Sequence, residues 1–423
     1  MKNAVSTEQE PEKTEQEAKE GEVSKSDNEN LKAEQDKTEL LEQANAVFGN
    51  KIKKRVKVII ACLFALVFLF SFFAGTYSLR QGIGIGIMLM SIGDYIQNYF
   101  LHFGLMLKQA FIVDAGGFWD QVVWFFSCLK SALIGDDVAR DSLQRALFNI
   151  RLPRIMLVIL VGAALSTAGA AFQGMFKNPL VSPDLLGASA GASLGACLMM
   201  LADMPNIGIQ LGAFIGGLLA VGLTVWMRGI VKSDAILGLV LAGMLVSTLF
   251  SSGMSFVKLV ADTNDKLPAI TYWLMGSFSS ADRIDFWLAL IPMLLGFGLV
   301  ISQSWKLNVM SFGDDEARSM GVDTRKTRLI VILGATLITS TSVAVAGVVG
   351  WVGLVIPHFA RAVVGPNYKV LLPTCLIMGA AYLLCIDDIA RMLLSVEIPI
   401  GILTSILGVP FFLVIFRNTN KGW

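Results

Sequence analysis

Residues 151–174 read RLPRIMLVILVGAALSTAGAAFQG, two arginines around a proline followed by a long apolar run. After Arg154 no charged side chain occurs until Lys177. At 1.5 Å per residue, about 20 such residues cross a hydrocarbon core, so this stretch reads as a helix spanning a bilayer. Proline suits its first turn, where no intrahelical donor is lost.

Outward from this stretch, comparable apolar runs recur near 185–201, 209–227, 235–257, 284–303, 327–346, 349–364, 371–391 and 399–416, and one precedes it at Val58–Ala74. The fold class is therefore an all-α polytopic membrane protein with about ten transmembrane helices. The composition agrees: of 423 residues 54% are apolar and only 16% charged, with mean hydropathy +0.65. A soluble domain carries about a quarter charged residues.

Orientation follows from the basic residues. Lys51, Lys53, Lys54, Arg55 and Lys57 stand directly before the first span. Threading ten spans puts 17 Lys/Arg beside the segments on that side and four (Lys258, Lys266, Arg283 and Arg391) in the short loops opposite. The positive-inside rule then sets both termini in the cytoplasm.

Residues 1–50 hold thirteen acids against six lysines and almost no aliphatic residues, so they read as a disordered acidic cytoplasmic tail ahead of a permease domain at 51–423. Residues 76–150 are amphipathic and broken by aspartates, and read as a long external loop with interfacial helices. The connection at 304–326 is the longest cytoplasmic one. VGAAL at 161–165 against LGATL at 333–337 hints at a repeat that an odd offset in spans would invert. Glycines at fourth positions, as in Gly187, Gly191 and Gly195, indicate close helix packing. The cysteines lie mostly in apolar runs without metal-type spacing and read as small core residues.

No Gly-Lys dipeptide occurs, hence no phosphate-binding loop of the GxxxxGK[ST] kind. No catalytic residue, cofactor or resident metal is indicated. His358, beside Pro357, reads as a structural hydrogen-bonding residue rather than a ligand. Arg151 and Arg154 at the outer membrane surface either snorkel to lipid headgroups or offer forked guanidinium groups to carboxylates of an external partner. Asp314, Asp315 and Glu316 favour the start of a short cytoplasmic helix and Gly321 its end, with Ala317 small enough for close approach by an attached domain. Ionisable residues within the spans are few, which weighs against an ion-gradient-driven secondary transporter, the alternative reading.

Seven stretches in order then carry a resemblance: RLPR at 151–154, GAAFQGMFKNPLVSPDLLGASAGASLGA at 169–196, LAGM at 241–244, YWLMGSFS at 272–279, GDDEARSMGV at 313–322, AVAGVVGWVGLVIPHFAR at 344–361 and IPIGILTSILGVPFF at 398–412. The chain resembles permeases of the FecCD family, ATP-binding-cassette importers for iron-siderophores, haem and vitamin B12. The resemblance implies a type II importer architecture and alternating access in a dimer with a second copy or a paralogue. It also implies cytosolic ATPase subunits, an external substrate-binding lipoprotein, membrane lipids around it, no nucleic acid, and a bacterial or archaeal cytoplasmic membrane. By position, Arg151, Arg154 and Arg391 match arginines that meet glutamates of the binding protein. Asp314, Glu316, Ala317 and Gly321 match the helix that couples to the ATPase. Gly243 and Ser247 in the fifth span, Thr404 in the tenth, and Ser233 and Asp234 before the fifth are the pathway or gate candidates.

Overall fold

A computed structural model describes residues 54–73, 92–94, 96–97, 145–230, 235–394 and 396–418. In chain order the helices are α1 (Lys54–Phe73), α2 (Leu152–Phe176), α3 (Ala188–Leu201), α4 (Asn206–Ile230), α5 (Ala235–Val260), α6 (Lys266–Leu274), α7 (Arg283–Ser302), α8 (Ser304–Met310), α9 (Asp314–Ser319), α10 (Thr324–Ala346), α11 (Val352–Val364), α12 (Tyr368–Met392) and α13 (Ile400–Asn418). Among the described residues six helices are long and apolar enough to cross a membrane, and apolar stretches within α1, α3, α11 and α13 are shorter. Together these are the ten expected spans; α6, α8 and α9 lie in the connections between them. The described residues contain no strand. The acidic tail, the gate candidates Ser233 and Asp234, and most of the 76–150 segment lie outside the described residues; residues 145–151 form a π-helical turn leading into α2.

Helix α2 is the axis of the bundle, buried almost throughout and packed against α7, α10, α11 and α12. Small residues let its neighbours reach it. A Cβ on Gly162 would sit 2.4 Å from the Gly379 carbonyl oxygen of α12, and one on Gly169 would sit 1.8 Å from that of Gly353 in α11. The same device joins α3 to α4, where a Cβ on Gly191 would lie 2.3 Å from the Gly216 carbonyl. Lipid tails are as apolar as leucine, so such close backbone approach, rather than water exclusion, carries much of the helix association.

The third span begins later than its apolar run. Pro183–Leu186 form a 3-10 turn, Gly187 has φ +86°, and the α-helix starts only at Ala188. Gly187 is thus the left-handed turn ahead of the helix rather than part of its packing stripe. Irregular backbone at membrane depth must find partners inside the protein. Thr224 donates its hydroxyl to the Leu186 carbonyl at 2.9 Å, and Gly243 of α5 packs against the Leu185 carbonyl. A matching break follows α10: residues from Gly347 (φ +67°) to Trp351 (φ +68°) are non-helical before the short α11. Here Ser277 N–H donates to the Ala346 carbonyl at 2.9 Å, and the Trp351 ring meets Phe412 of α13 edge-on, 6.3 Å between centroids. Long helix, break and short helix therefore occur twice, traversed in opposite directions, the pattern of an inverted repeat.

The cysteines divide. Cys197 and Cys375 are buried as expected, whereas Cys62 and Cys385 face outward from α1 and α12. A thiol is apolar enough for a lipid-facing position, so an apolar run alone did not fix its side.

Candidate functional site

At the outer ends of α1, α2 and α12 the docking candidates converge. Arg154, in the first turn of α2, donates from Nε and Nη2 to Asp387 of α12 at 3.1 and 2.8 Å, and from Nη1 to Glu397 at 2.8 Å. Arg391 pairs with Asp387 at 3.1 Å, with Asp388, and with the Ser71 hydroxyl at 3.1 Å. Arg151 donates to the Phe72 carbonyl at 3.1 Å, tying the end of α1 to the start of α2. Three arginines and three carboxylates thus form one nearly dry cluster. Its accessible edge is Glu397, whose side chain is 35% exposed against 8% for Arg154 and none for Asp387. The arginine partners Asp387 and Asp388, and the part played by Glu397, emerge only from the fold.

On the opposite face lies the connection from α8 to α10. Helix α9 begins after Gly313, whose φ of +150° and lack of Cβ leave room for the folded-back Glu316 carboxylate. It ends in a Schellman motif: Gly321, at φ +80°, donates to the Arg318 carbonyl at 2.9 Å, and Val322 donates to the Ala317 carbonyl at 2.9 Å. Ala317 is fully buried in a small apolar patch with Val309, Met310 and Val322. Asp314 accepts from Arg328 of α10 at 2.7 Å on both carboxylate oxygens and lies 3.9 Å from Lys177 at the end of α2. Asp323 caps α10, and the Lys326 backbone N–H holds its carboxyl below the usual range. Nearby, Asn308 of α8 donates to the Asn367 side chain at 2.9 Å and accepts from the Tyr368 N–H at 2.8 Å, fixing α8 to the start of α12. Lys177, Asn308 and Arg328 were not singled out by sequence, because each partner is at least a loop away.

The pathway candidates are placed differently. Gly243 is packed on the Leu185 carbonyl, a Cβ on Gly187 would lie 3.1 Å from the Ser247 hydroxyl, and Thr404 is fully buried, donating to the Gly401 carbonyl at 3.2 Å. The outward face of α5 instead carries Met244, Leu245, Thr248, Leu249 and Ser252. Thr248 and Ser252 donate to carbonyls one turn back at 2.9 Å each, so this face is wettable without unsatisfied donors. No three His, Cys, Asp or Glu side chains among the described residues converge to hold a metal.

A family model described as the FecCD transport family matches residues 110–418. The molybdate import system permease protein MolB of Haemophilus influenzae is 37% identical over 279 residues, 66% of this chain and 83% of the relative. The vitamin B12 import system permease protein BtuC of Klebsiella pneumoniae is 38% identical, covering 66% of this chain and 85% of the relative. A solved structure described as the inward-facing conformation of an ABC transporter assigned to the metal-chelate type matches with a TM-score of 0.62 and 34% identity, over 77% of this chain and 99% of that one.

Proposed function

The chain belongs to the FecCD transport family, and on that premise we propose that it moves a metal-chelate ligand of the iron-siderophore, haem or cobalamin type into the cytoplasm of a bacterium or archaeon. It is the multi-pass permease subunit of an ATP-driven importer; it performs no bond chemistry, and ATP hydrolysis belongs to separate subunits. The observation that carries the ligand class is the 38% identity to a vitamin B12 import permease over 85% of that relative. Molybdate is the competing cargo, favoured by the 37% identity to a molybdate permease.

In this reading two permeases, identical or paralogous, enclose the pathway between the outward faces of α5 and α13, with Gly243, Ser247 and Thr404 shaping those faces from behind and Ser233 and Asp234 as the inner-gate candidates. An external binding protein docks on the outer cluster, where Arg154 and Arg391 are held in place by Asp387, Asp388 and Glu397 and Arg151 by the Phe72 carbonyl. Helix α9, with Asp314, Glu316, Ala317 and Gly321, sits against the ATPase. Ligand and nucleotide shift the bundle between inward- and outward-open states only through their unequal affinity for the two.

Purification of the chain from its native membrane in mild detergent tests this assembly. Co-elution of a P-loop ATPase, with two permeases per complex, is the expected result. Elution alone, without ATPase even after crosslinking, would overturn it.

A further inference from the structure

A helix of six residues does not hold itself together: its nucleation cost exceeds what so few hydrogen bonds return. Helix α9 is therefore set by what grips it. Its apolar grip, Ala317 on Val309, Met310 and Val322, is local, confined to residues 309–322 of the same connection. Besides the Asn308 hydrogen bonds that fix α8 to the start of α12, the side-chain ties from this unit to the long membrane helices are ionic and meet at one carboxylate. Asp314 takes Arg328 at 2.7 Å on both oxygens and faces Lys177 at 3.9 Å. Arg328 is nearly buried, 7% exposed, whereas Lys177 and Asp314 are about one-third exposed (34% and 29%). Lys177 itself stands at the left-handed C-cap of α2, φ +51°, so it reports the position of that helix end directly. Arg328 reaches both oxygens from one buried nitrogen, Nη2, a shorter and less solvated contact than that of the flexible lysine.

We propose that Arg328 and Lys177 are positioning residues for coupling: acting through Asp314, they make α9 move as one body with α10 and the inner end of α2. This deepens the reading of α9 as the ATPase contact and rests on it. Arg328 is the rigid link and Lys177 the compliant one. A push on α9 then turns α10 and α2 together instead of bending the connection.

Spin labels on S319C and K326C in the full permease–ATPase complex measure this directly, with and without ATP and vanadate. The expected distance distribution is narrow and the same in both states. R328Q should broaden it by about twofold, K177Q less, and R328K should recover only part of the narrow width; an allosteric coupling loss of about tenfold lies in the usual range. In the same complexes, R328Q should keep hydrolysing ATP while uptake of a ferric hydroxamate, haem or cyanocobalamin, whichever the unaltered complex transports, falls by about that factor. An unchanged width in R328Q, or hydrolysis and uptake falling together, overturns the proposal. Crosslinking of R318C to the ATPase is read separately and reports on the underlying assignment of α9, so the two can fail independently.

Discussion

Arg154 and Asp387, 233 positions apart in the chain, meet at 2.8 Å at the outer end of the bundle with the aspartate wholly removed from solvent. The pair ties the start of α2 to the last third of α12, and Glu397 extends the tie to the segment entering α13. A charge buried here is tolerable only while its partner stays.

Removing that partner should therefore be severe. D387A leaves a buried guanidinium short of one carboxylate, and breaking such a pair costs about 3–5 kcal/mol. Thermal unfolding in detergent should show a clearly lowered transition for D387A, with much of the loss recovered in R154L/D387L. A D387A protein as stable as the unaltered one would contradict the buried-cluster account.

Glu397 should behave otherwise, because it is the accessible member. E397Q costs about 1 kcal/mol or less in stability, as for partly exposed pairs. It also gives the cluster one net positive charge and frees part of Arg154 for an incoming carboxylate. Capture of the binding protein should strengthen, mainly through a faster on-rate that fades with added salt. Capture unchanged or weakened in surface-binding kinetics would count against docking on this cluster.

Helix packing supplies a test with an internal control. A methyl on Gly191 would meet the Gly216 carbonyl at 2.3 Å, whereas Gly222 has open space around it in α4. G191A should lose about 1–3 kcal/mol by overpacking, and G222A should not. Equal behaviour of the two in unfolding measurements would refute close α3–α4 approach.

At Gly321 the backbone, not the space, is limiting: nothing lies within 4 Å of the place a Cβ would take, yet φ is +80°. Left-handed geometry costs an alanine roughly 1–2 kcal/mol. G321A should misalign α9 and lower ATP-driven uptake more than ATP hydrolysis; equal effects on both would argue against a coupling role.

How much of this was legible follows the range of the signals. Span positions are set by local apolar runs, so ten helices and their direction could be read from residues such as Lys51–Lys57 and the 153–174 run. The short α9 was legible too, because Asp314 and Gly321 mark its ends chemically. The breaks at Pro183–Gly187 and Gly347–Trp351 were not, since the expected spans, 185–201 and 349–364, began inside both stretches and their conformations depend on Gly243, Thr224 and Phe412 far along the chain. Charge pairing failed for the same reason. Arg154 could be recognised as a partner-seeking side chain, but only folding reveals that Asp387 and Glu397 already occupy it, and only folding turns Thr404 inward.

The central claim is best tested by sealed vesicles containing the purified complex, with its binding protein outside and labelled ferric hydroxamate, haem, cyanocobalamin or molybdate supplied one at a time. The account predicts accumulation of one metal-chelate ligand only when ATP is present on the ATPase side, undiminished by ionophores that collapse ion gradients. Uptake that ignores ATP and stops with the ionophores would contradict it.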